Sequence, residues 1–103
     1  MVAQIVVSYG TPADPKAFDT YYFETHVPLA RKIPGMRRYQ VSRGAVSTPA
    51  GPSPFHLIAI LTFDNVAAIQ AAFGSLEGQA AVADVQKFAT GGVEMNFFET
   101  AEV

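Results

Sequence analysis

The feature that most constrains the fold of this chain is the run FHLIAILTF, residues Phe55–Phe63. The run is almost continuously apolar, follows a proline-rich stretch and ends at Asp64-Asn65, which can cap a helix. Uninterrupted apolar runs of this length are typical of β-strands that are covered on both faces. We therefore predict a strand at the centre of a sheet, in a fold that covers both faces of that sheet.

The remaining elements are predicted from apolar periodicity, helix caps and turn residues. They are a strand over Val2–Tyr9, a helix capped by Asp14 that ends at Pro34-Gly35, a strand over Met36–Ala45, a loop over Val46–Pro54, helices over Val66–Phe73 and about Leu76–Phe88, and a strand over Val93–Thr100. This β-α-β-β-α-β order predicts an α+β, ferredoxin-like fold, with two helices on one face of a four-stranded antiparallel sheet.

The chain is short and apolar, which bears on its assembly. Of its 103 residues, 50% are hydrophobic and 16% are charged, so we interpret residues 1–103 as one domain with surplus apolar surface. Ile58 and Ile60 lie on one face of the central strand and Leu57 and Leu61 on the other, so neither face is cleanly polar. Helices can cover one face, and a second copy of the sheet is the simplest cover for the other. We predict a homodimer.

Composition and motifs argue against several classes of function. A net charge of −2 gives no basic surface for nucleic acid or anionic lipid, and no apolar run approaches the ~20 residues that span a bilayer. There is no signal-peptide pattern, so we expect a soluble cytoplasmic protein. Two distant histidines, no cysteine, no glycine-rich phosphate loop and no serine nucleophile motif predict no metal site and no cofactor.

The first helix carries a histidine on an apolar face. Helical spacing aligns Phe18, Tyr22, His26, Leu29 and Ile33. Because a proline removes the helical bond to the carbonyl four residues earlier, Pro28 predicts a kink or break near Thr25–Val27. A buried imidazole here has two interpretations: a ring that fills space and bonds a neighbour, or the polar group of a small-molecule pocket.

A resemblance to a known family rests on this same stretch. The strand, Asp14 to Phe18, Tyr21-Tyr22, the run His26-Val27-Pro28-Leu29-Ala30 and the closing Ile33-Pro34-Gly35-Met36-Arg37-Arg38-Tyr39 resemble the EthD family, named from a gene cluster for degrading ethyl tert-butyl ether. The resemblance implies the dimeric α+β barrel superfamily, where two ferredoxin-like sheets pack face to face. That superfamily includes cofactor-free monooxygenases, an isomerase, haem-dependent enzymes and stress-responsive proteins. The family histidine corresponds to His26.

Two hypotheses of function follow. In the first, the chain is a cofactor-independent enzyme of organic-compound degradation, of monooxygenase, isomerase or decarboxylase type, in which His26 transfers a proton beside Tyr22. In the second, it is a non-catalytic accessory protein of a catabolic oxidation system, which sequesters a hydrophobic molecule or supports a partner oxidase. The candidate catalytic residues are His26 and Tyr22, and the candidate pocket residues are Phe18, Tyr9, Tyr39 and Leu29. A narrow cavity at His26 would favour the enzyme, and a filled core the accessory role.

Overall fold

The order of elements in the computed structural model, which describes all 103 residues, confirms the predicted order. The elements are β1 (Ala3–Gly10), α1 (Pro15–Tyr21), a π-helical turn (Tyr22–His26), α2 (Val27–Ala30), β2 (Arg38–Val41), β3 (Ser47–Thr48), β4 (Gly51–Pro52), β5 (Phe55–Phe63), α3 (Val66–Gly74), α4 (Leu76–Val85) and β6 (Val93–Glu99). The three helical pieces over residues 15–30 follow one another without a gap. None of the helices has the length and apolarity needed to cross a membrane.

The main sheet has four strands in the order β2-β5-β1-β6, and every neighbouring pair is antiparallel. The strand over Phe55–Phe63 therefore lies inside the sheet, as predicted, with β1 and β2 on either side. Ile5 of β1 stands opposite Leu61 of β5 and Phe97 of β6, which places apolar side chains side by side across three strands. The predicted α+β, ferredoxin-like fold is confirmed.

The two faces of the sheet differ in burial. Alternate residues of β1 and β5, such as Ile5 and Leu61, are buried beneath the helices, while Val6, Ile58 and Ile60 on the opposite face are half-buried. The molecule measures 35 × 35 × 18 Å, and its 18 Å thickness accommodates one layer of helices on one sheet. The second face of the sheet is therefore open in the single chain.

Side-chain caps start the helices where the sequence predicts. The carboxylate of Asp14 accepts a hydrogen bond from the backbone of Ala17 at 3.1 Å, and Pro15 takes the first helical position, where its missing N–H costs nothing. Asn65 caps α3, and Ser75 caps α4 by accepting from Gly78 at 2.9 Å. These local signals fix where each helix enters the layer above the sheet.

Three of the predicted elements are longer than the observed ones. β2 covers only Arg38–Val41, because Gly44, with φ of 75°, turns the chain away from the sheet. α2 ends at Ala30 rather than at Pro34-Gly35, and α4 ends at Val85 and continues only as turns. The segment predicted as a loop contains a small hairpin, in which β3 pairs with β4.

The close packing of α3 against α4 depends on Gly78. A Cβ at this position would overlap the carbonyl oxygen of Ala72 and lie 2.9 Å from its carbonyl carbon. We expect Gly78→Ala to lower the free energy of unfolding by about 1 to 3 kcal/mol, because overpacking outweighs the helix preference of alanine. Urea denaturation measures the change. Gly74→Ala, where nothing lies within 4 Å, is the matched control. Equal stability of the two variants would contradict the expectation.

Candidate functional site

A cavity lies between the helices and the covered face of the sheet. Its volume is about 50 Å³. It is lined by 18 residues, 16 of them hydrophobic: Ile5, Val7, Tyr9, Tyr22, His26, Ala30, Ile33, Tyr39, Ala59, Leu61, Phe63, Ala72, Phe73, Gly78, Ala81, Val82, Val85 and Met95. Two of the lining residues, Val82 of α4 and Met95 of β6, are 42% and 38% exposed, so this part of the lining borders the surface. The cavity is apolar apart from one imidazole and the tyrosine hydroxyls.

A π-helical turn brings two of the polar groups into the cavity. The backbone N–H of Val27 donates to the carbonyl of Tyr22, five residues earlier, and Pro28 follows at once. Pro28 has no N–H, and its ring would clash with the carbonyl of Glu24 in a regular α-helix. The wider turn avoids that clash and holds the side chains of Tyr22 and His26 inward. The irregularity predicted near Thr25–Val27 is present, as a π-turn rather than a break.

His26 forms a buried pair with a carboxylate from the other half of the fold. Its Nδ1 lies 3.0 Å from Oδ2 of Asp84 on α4, and both side chains are about 5% exposed. The second carboxylate oxygen, Oδ1, accepts a hydrogen bond from the hydroxyl of Tyr21 at 2.7 Å. Because an isolated buried charge is costly, these two partners are what allow a carboxylate to lie in this apolar layer.

The electrostatics of the pair fix its protonation state. Burial lowers the pKa of His26 from its ordinary 6.5, and this effect exceeds the opposite influence of the hydrogen bond and charge of Asp84. Burial by itself raises the pKa of Asp84, but hydrogen bonds from Tyr21 and His26 and the charge of Lys87 hold that pKa below its usual range. At neutral pH the imidazole is uncharged and the carboxylate is ionised.

This protonation state leaves His26 with one basic nitrogen. An ionised carboxylate can only accept, so Nδ1 carries the hydrogen and donates it to Asp84. Nε2 then has a free lone pair, and it forms no hydrogen bond within the protein. No fully buried side-chain nitrogen or oxygen lacks a partner, so Nε2 is within reach of a water-sized molecule. The site thus presents a neutral imidazole base that a carboxylate orients from behind.

Two tyrosine hydroxyls form a second polar group of the cavity. The hydroxyls of Tyr22 and Tyr39 lie 2.7 Å apart, and burial is the main reason that both phenol pKa values are raised. One hydroxyl donates to the other, so the pair has one O–H left for another acceptor. Tyr9, whose pKa is also raised by burial, adds a third hydroxyl without a hydrogen bond in the protein. The cavity therefore combines one base with protonated phenols.

The predicted site residues separate into two groups. Four of them, His26, Tyr22, Tyr9 and Tyr39, line the cavity together. Phe18 does not line it; its ring stacks on the ring of Tyr22 at a centroid distance of 5.8 Å and supports it from behind.

Leu29 is also absent from the lining, and Ala30 takes its place. The prediction of Leu29 assumed regular α-helical spacing. The π-turn adds one residue, which rotates the following helix so that residue 30 rather than 29 faces inward.

The hydrogen-bond partner of His26 was not predicted. The rings of Tyr22 and His26 pack at 5.3 Å, but the Tyr22 hydroxyl bonds Tyr39 instead of the imidazole. The sequence analysis does not predict Asp84 as a site residue, although Asp84 shares a helix face with apolar Ala81 and Val85. A carboxylate on an apolar face is the same kind of signal that drew attention to His26.

The second histidine is in a different setting. Nε2 of His56 lies 2.7 Å from Oδ1 of Asp19, near the surface, and its ring packs edge-on against Phe18 at 5.1 Å. The structure contains no group of three or more histidine, aspartate or glutamate side chains that could hold a metal ion.

The depressed pKa of His26 has a consequence for stability. Just below pH 6.5 the unfolded chain binds a proton on this residue that the folded chain does not bind, so the free energy of unfolding should fall as the pH drops through this region. One proton gives a slope of at most about 1.4 kcal/mol per pH unit. The depressed pKa of Asp84 should likewise lower the free energy of unfolding as the pH drops below 3.8.

Urea denaturation at pH values between about 5 and 8, the range in which histidine titrates, measures this slope. We expect His26→Gln to reduce the slope of the free energy of unfolding against pH. His56→Gln makes the same change at the other histidine, and the part of the slope that His26 contributes should remain in that variant. A native protein whose stability rises on acidification through this range would contradict the assignment.

Comparison with known proteins places the chain in a family. The EthD domain model matches residues 11–92. An 11.0 kDa protein from the thcB-thcC intergenic region of Rhodococcus erythropolis is 40% identical over 100 residues, which span 97% of this chain and 96% of that protein. The crystal structure of an EthD family protein from Bacillus halodurans matches with a TM-score of 0.90 and 38% identity, covering 98% of this chain and 100% of that chain.

More distant structures share the fold alone. SnoaB, a cofactor-independent oxygenase from Streptomyces nogalater, matches with a TM-score of 0.68 at 13% identity, over 99% of this chain and 95% of that chain. A dimeric ferredoxin-like protein from Thermobifida fusca matches with a TM-score of 0.70 at 14% identity, over 97% and 92% of the two chains. With the family model matching most of its length, the chain belongs to the EthD domain family.

Proposed function

We propose that this protein binds a small, uncharged, hydrophobic molecule in the cavity and transfers a proton to or from it through His26, without a cofactor. The observation that supports this most is the pair of His26 and Asp84, because it leaves a basic Nε2 without a protein partner at an apolar cavity. A purely structural histidine can be satisfied by a backbone carbonyl or a hydroxyl at lower cost than by a buried carboxylate, which is costly to place in a core. The arrangement suits general acid–base chemistry.

The composition of the cavity lining favours an uncharged ligand. No lysine or arginine side chain lines the cavity, and the imidazole is uncharged at neutral pH. A carboxylate or phosphate would lose its hydration there without meeting a positive charge, which is strongly unfavourable. The proposed ligand is therefore a neutral, largely apolar molecule with one polar group.

The proposed step moves one proton. A weakly acidic O–H or C–H of the ligand gives its proton to Nε2 of His26, and the ligand keeps the electron pair as an anion. The negative charge of Asp84 stabilises the imidazolium, and the free O–H of the Tyr22–Tyr39 pair can donate to the anion. Return of the proton to another atom is an isomerisation. If a carbanion of the ligand instead reacts with dioxygen as co-substrate, a C–O bond forms, a second C–H bond is lost, and the ligand becomes a carbonyl compound while the other oxygen atom leaves as water, which is a monooxygenation. A decarboxylation is disfavoured, because its substrate would bring a carboxylate into a lining without lysine or arginine.

The size of the cavity limits how the ligand fits. At about 50 Å³ it is smaller than the ~150 Å³ apolar cavity that takes up benzene in another protein. A ring compound would fill the cavity with one end and extend past Val82 and Met95 toward the surface. The polar group of the ligand would lie at the inner end, beside the imidazole.

Family membership supports the setting of this proposal. The EthD family takes its name from ethyl tert-butyl ether degradation, and the fold is shared with a protein described as a cofactor-independent oxygenase. We place the chain in the degradation of organic compounds on these grounds. An accessory role, in which the same cavity only holds the molecule, is the alternative that turnover measurements separate from catalysis.

Three small ring compounds test the ligand site: phenol, toluene and benzoate. We expect phenol to bind with the highest affinity, because its O–H can donate to Nε2, and benzoate with the lowest, because no cation meets its charge. His26→Gln should weaken phenol binding by about 1 to 3 kcal/mol, roughly five- to 150-fold, and leave toluene binding nearly unchanged. NMR titration of the ring resonances of Tyr22 and Tyr39 measures all three affinities.

His56→Gln is the matched control, because it alters the histidine outside the cavity and should leave phenol binding as it is. The melting temperature of each variant is recorded beside its affinity. If His26→Gln lowers only the melting temperature, or if benzoate binds best, the proposed ligand site is refuted.

We further propose that the chain forms a homodimer through the open face of the sheet. Val6, Ile58 and Ile60 lie at the middle of this face, and Val6 stands directly opposite Ile60 in the strand register. Phe98, 43% exposed on the edge strand, extends the apolar area. A second sheet packed on this face would remove these side chains from water. The T. fusca structure with the same fold is described as dimeric.

Ile60→Asp tests the dimer. A carboxylate at the centre of the proposed interface would be buried without a partner, at a cost of several kcal/mol, so the variant should dissociate or become insoluble. Light scattering should give twice the 11.0 kDa chain mass for the native protein. Leu76→Asp, at a residue 82% exposed on α4, is the control and should remain dimeric. A native monomer, or a soluble Ile60→Asp dimer, would show that this face is not the interface.

A further inference from the structure

We propose that Tyr21 is a positioning residue of the site: its hydroxyl holds the carboxylate of Asp84 in the orientation that keeps His26 ready to act as a base. Tyr21 touches neither the cavity nor a ligand and acts only through Asp84. The inference rests on the proposed proton transfer by His26, and its test does not require a ligand.

The geometry divides the two carboxylate oxygens between two donors. Tyr21 donates to Oδ1 at 2.7 Å, and Nδ1 of His26 donates to Oδ2 at 3.0 Å. The two donors are five residues apart, since Tyr21 immediately precedes the π-turn and His26 ends it, while Asp84 comes from α4. Two hydrogen bonds to different oxygens fix the plane of a carboxylate, whereas one bond leaves it free to rotate. The π-turn thus sets the spacing of both donors.

No other group can take the place of the Tyr21 hydroxyl. The charged and titratable groups that act on Asp84 are Tyr21, His26, Lys87 and, through its charge interaction, Tyr9. Nζ of Lys87 lies 4.0 Å from Oδ1 on a side chain that is 70% exposed, a distance and exposure at which an ion pair contributes little. Tyr21 is therefore the second donor on which the buried carboxylate depends.

The ring and the hydroxyl of Tyr21 have separable roles. The ring packs against Phe88 at a centroid distance of 5.4 Å, and phenylalanine would keep that contact. Tyr21→Phe therefore removes only the donor to Oδ1. A merely structural role for Tyr21 would leave the protonation of Asp84 and the tautomer of His26 unchanged in this variant.

NMR on the intact protein tests the inference by two signals: the ¹³C shift of the Asp84 carboxyl group and the ¹⁵N shifts of the His26 ring. In Tyr21→Phe we expect the midpoint of the Asp84 titration to rise by about one to two pH units, the worth of one hydrogen bond to a charged group. We also expect the population with hydrogen on Nδ1 to decrease in favour of the other tautomer. Tyr39→Phe, which removes a hydroxyl that bonds Tyr22 and not Asp84, is the matched control.

A reciprocal measurement uses the Tyr21 phenol, whose pKa is raised mainly by its hydrogen bond to Asp84. In Asp84→Asn the titration of Tyr21 should move back toward that of an ordinary tyrosine. If Tyr21→Phe leaves both the Asp84 midpoint and the His26 tautomer as in the native protein, Tyr21 is not a positioning residue. Loss of phenol binding in His26→Gln would still support the proposed function in that case, so the two failures are distinguishable.

Discussion

The buried contact between His26 and Asp84 is the interaction on which the rest of the structure depends. The two residues are 58 positions apart and belong to different β-α-β halves, so their contact joins the helices of both halves above the sheet. Each polar atom of the carboxylate has a donor, which is the condition for placing a charge in an apolar layer. The remaining lone pair, on Nε2, is the basic group that the fold leaves available to a ligand, beside the tyrosine hydroxyls of the cavity.

Pro28 determines how this contact can form. A regular helix cannot accommodate a proline at this position without losing a hydrogen bond and crowding a carbonyl, and the π-turn is the local solution. The extra residue in that turn sets the spacing between Tyr21, Tyr22 and His26, so that two side chains reach Asp84 and one faces Tyr39. A single backbone irregularity therefore supplies both polar groups of the cavity. π-turns are frequently found at functional sites.

The sequence predicts the fold well because the signals for the fold are local. The apolar run Phe55–Phe63 and the caps at Asp14 and Asn65 each depend on neighbouring residues, and all three are where they were predicted. The site is harder to predict from the sequence, because its geometry depends on how separate elements pack. Nothing near His26 in the sequence indicates Asp84, and regular spacing predicted Leu29 in a position that Ala30 occupies. Four cavity residues were still found, since an inward-facing polar or aromatic side chain is a local signal too.

The proposed chemistry and the proposed association use opposite faces of the sheet. His26 and its partners lie among the helices, whereas Ile58 and Ile60 project from the opposite face of the same strand. Because side chains alternate along a strand, Ala59 and Leu61 line the cavity while their immediate neighbours face away from it. Substitutions on the open face can thus change the assembly without altering the cavity lining, and substitutions in the cavity can change its polarity without altering the open face. A fold that keeps these roles on opposite faces of one sheet can vary its chemistry while its mode of association stays the same.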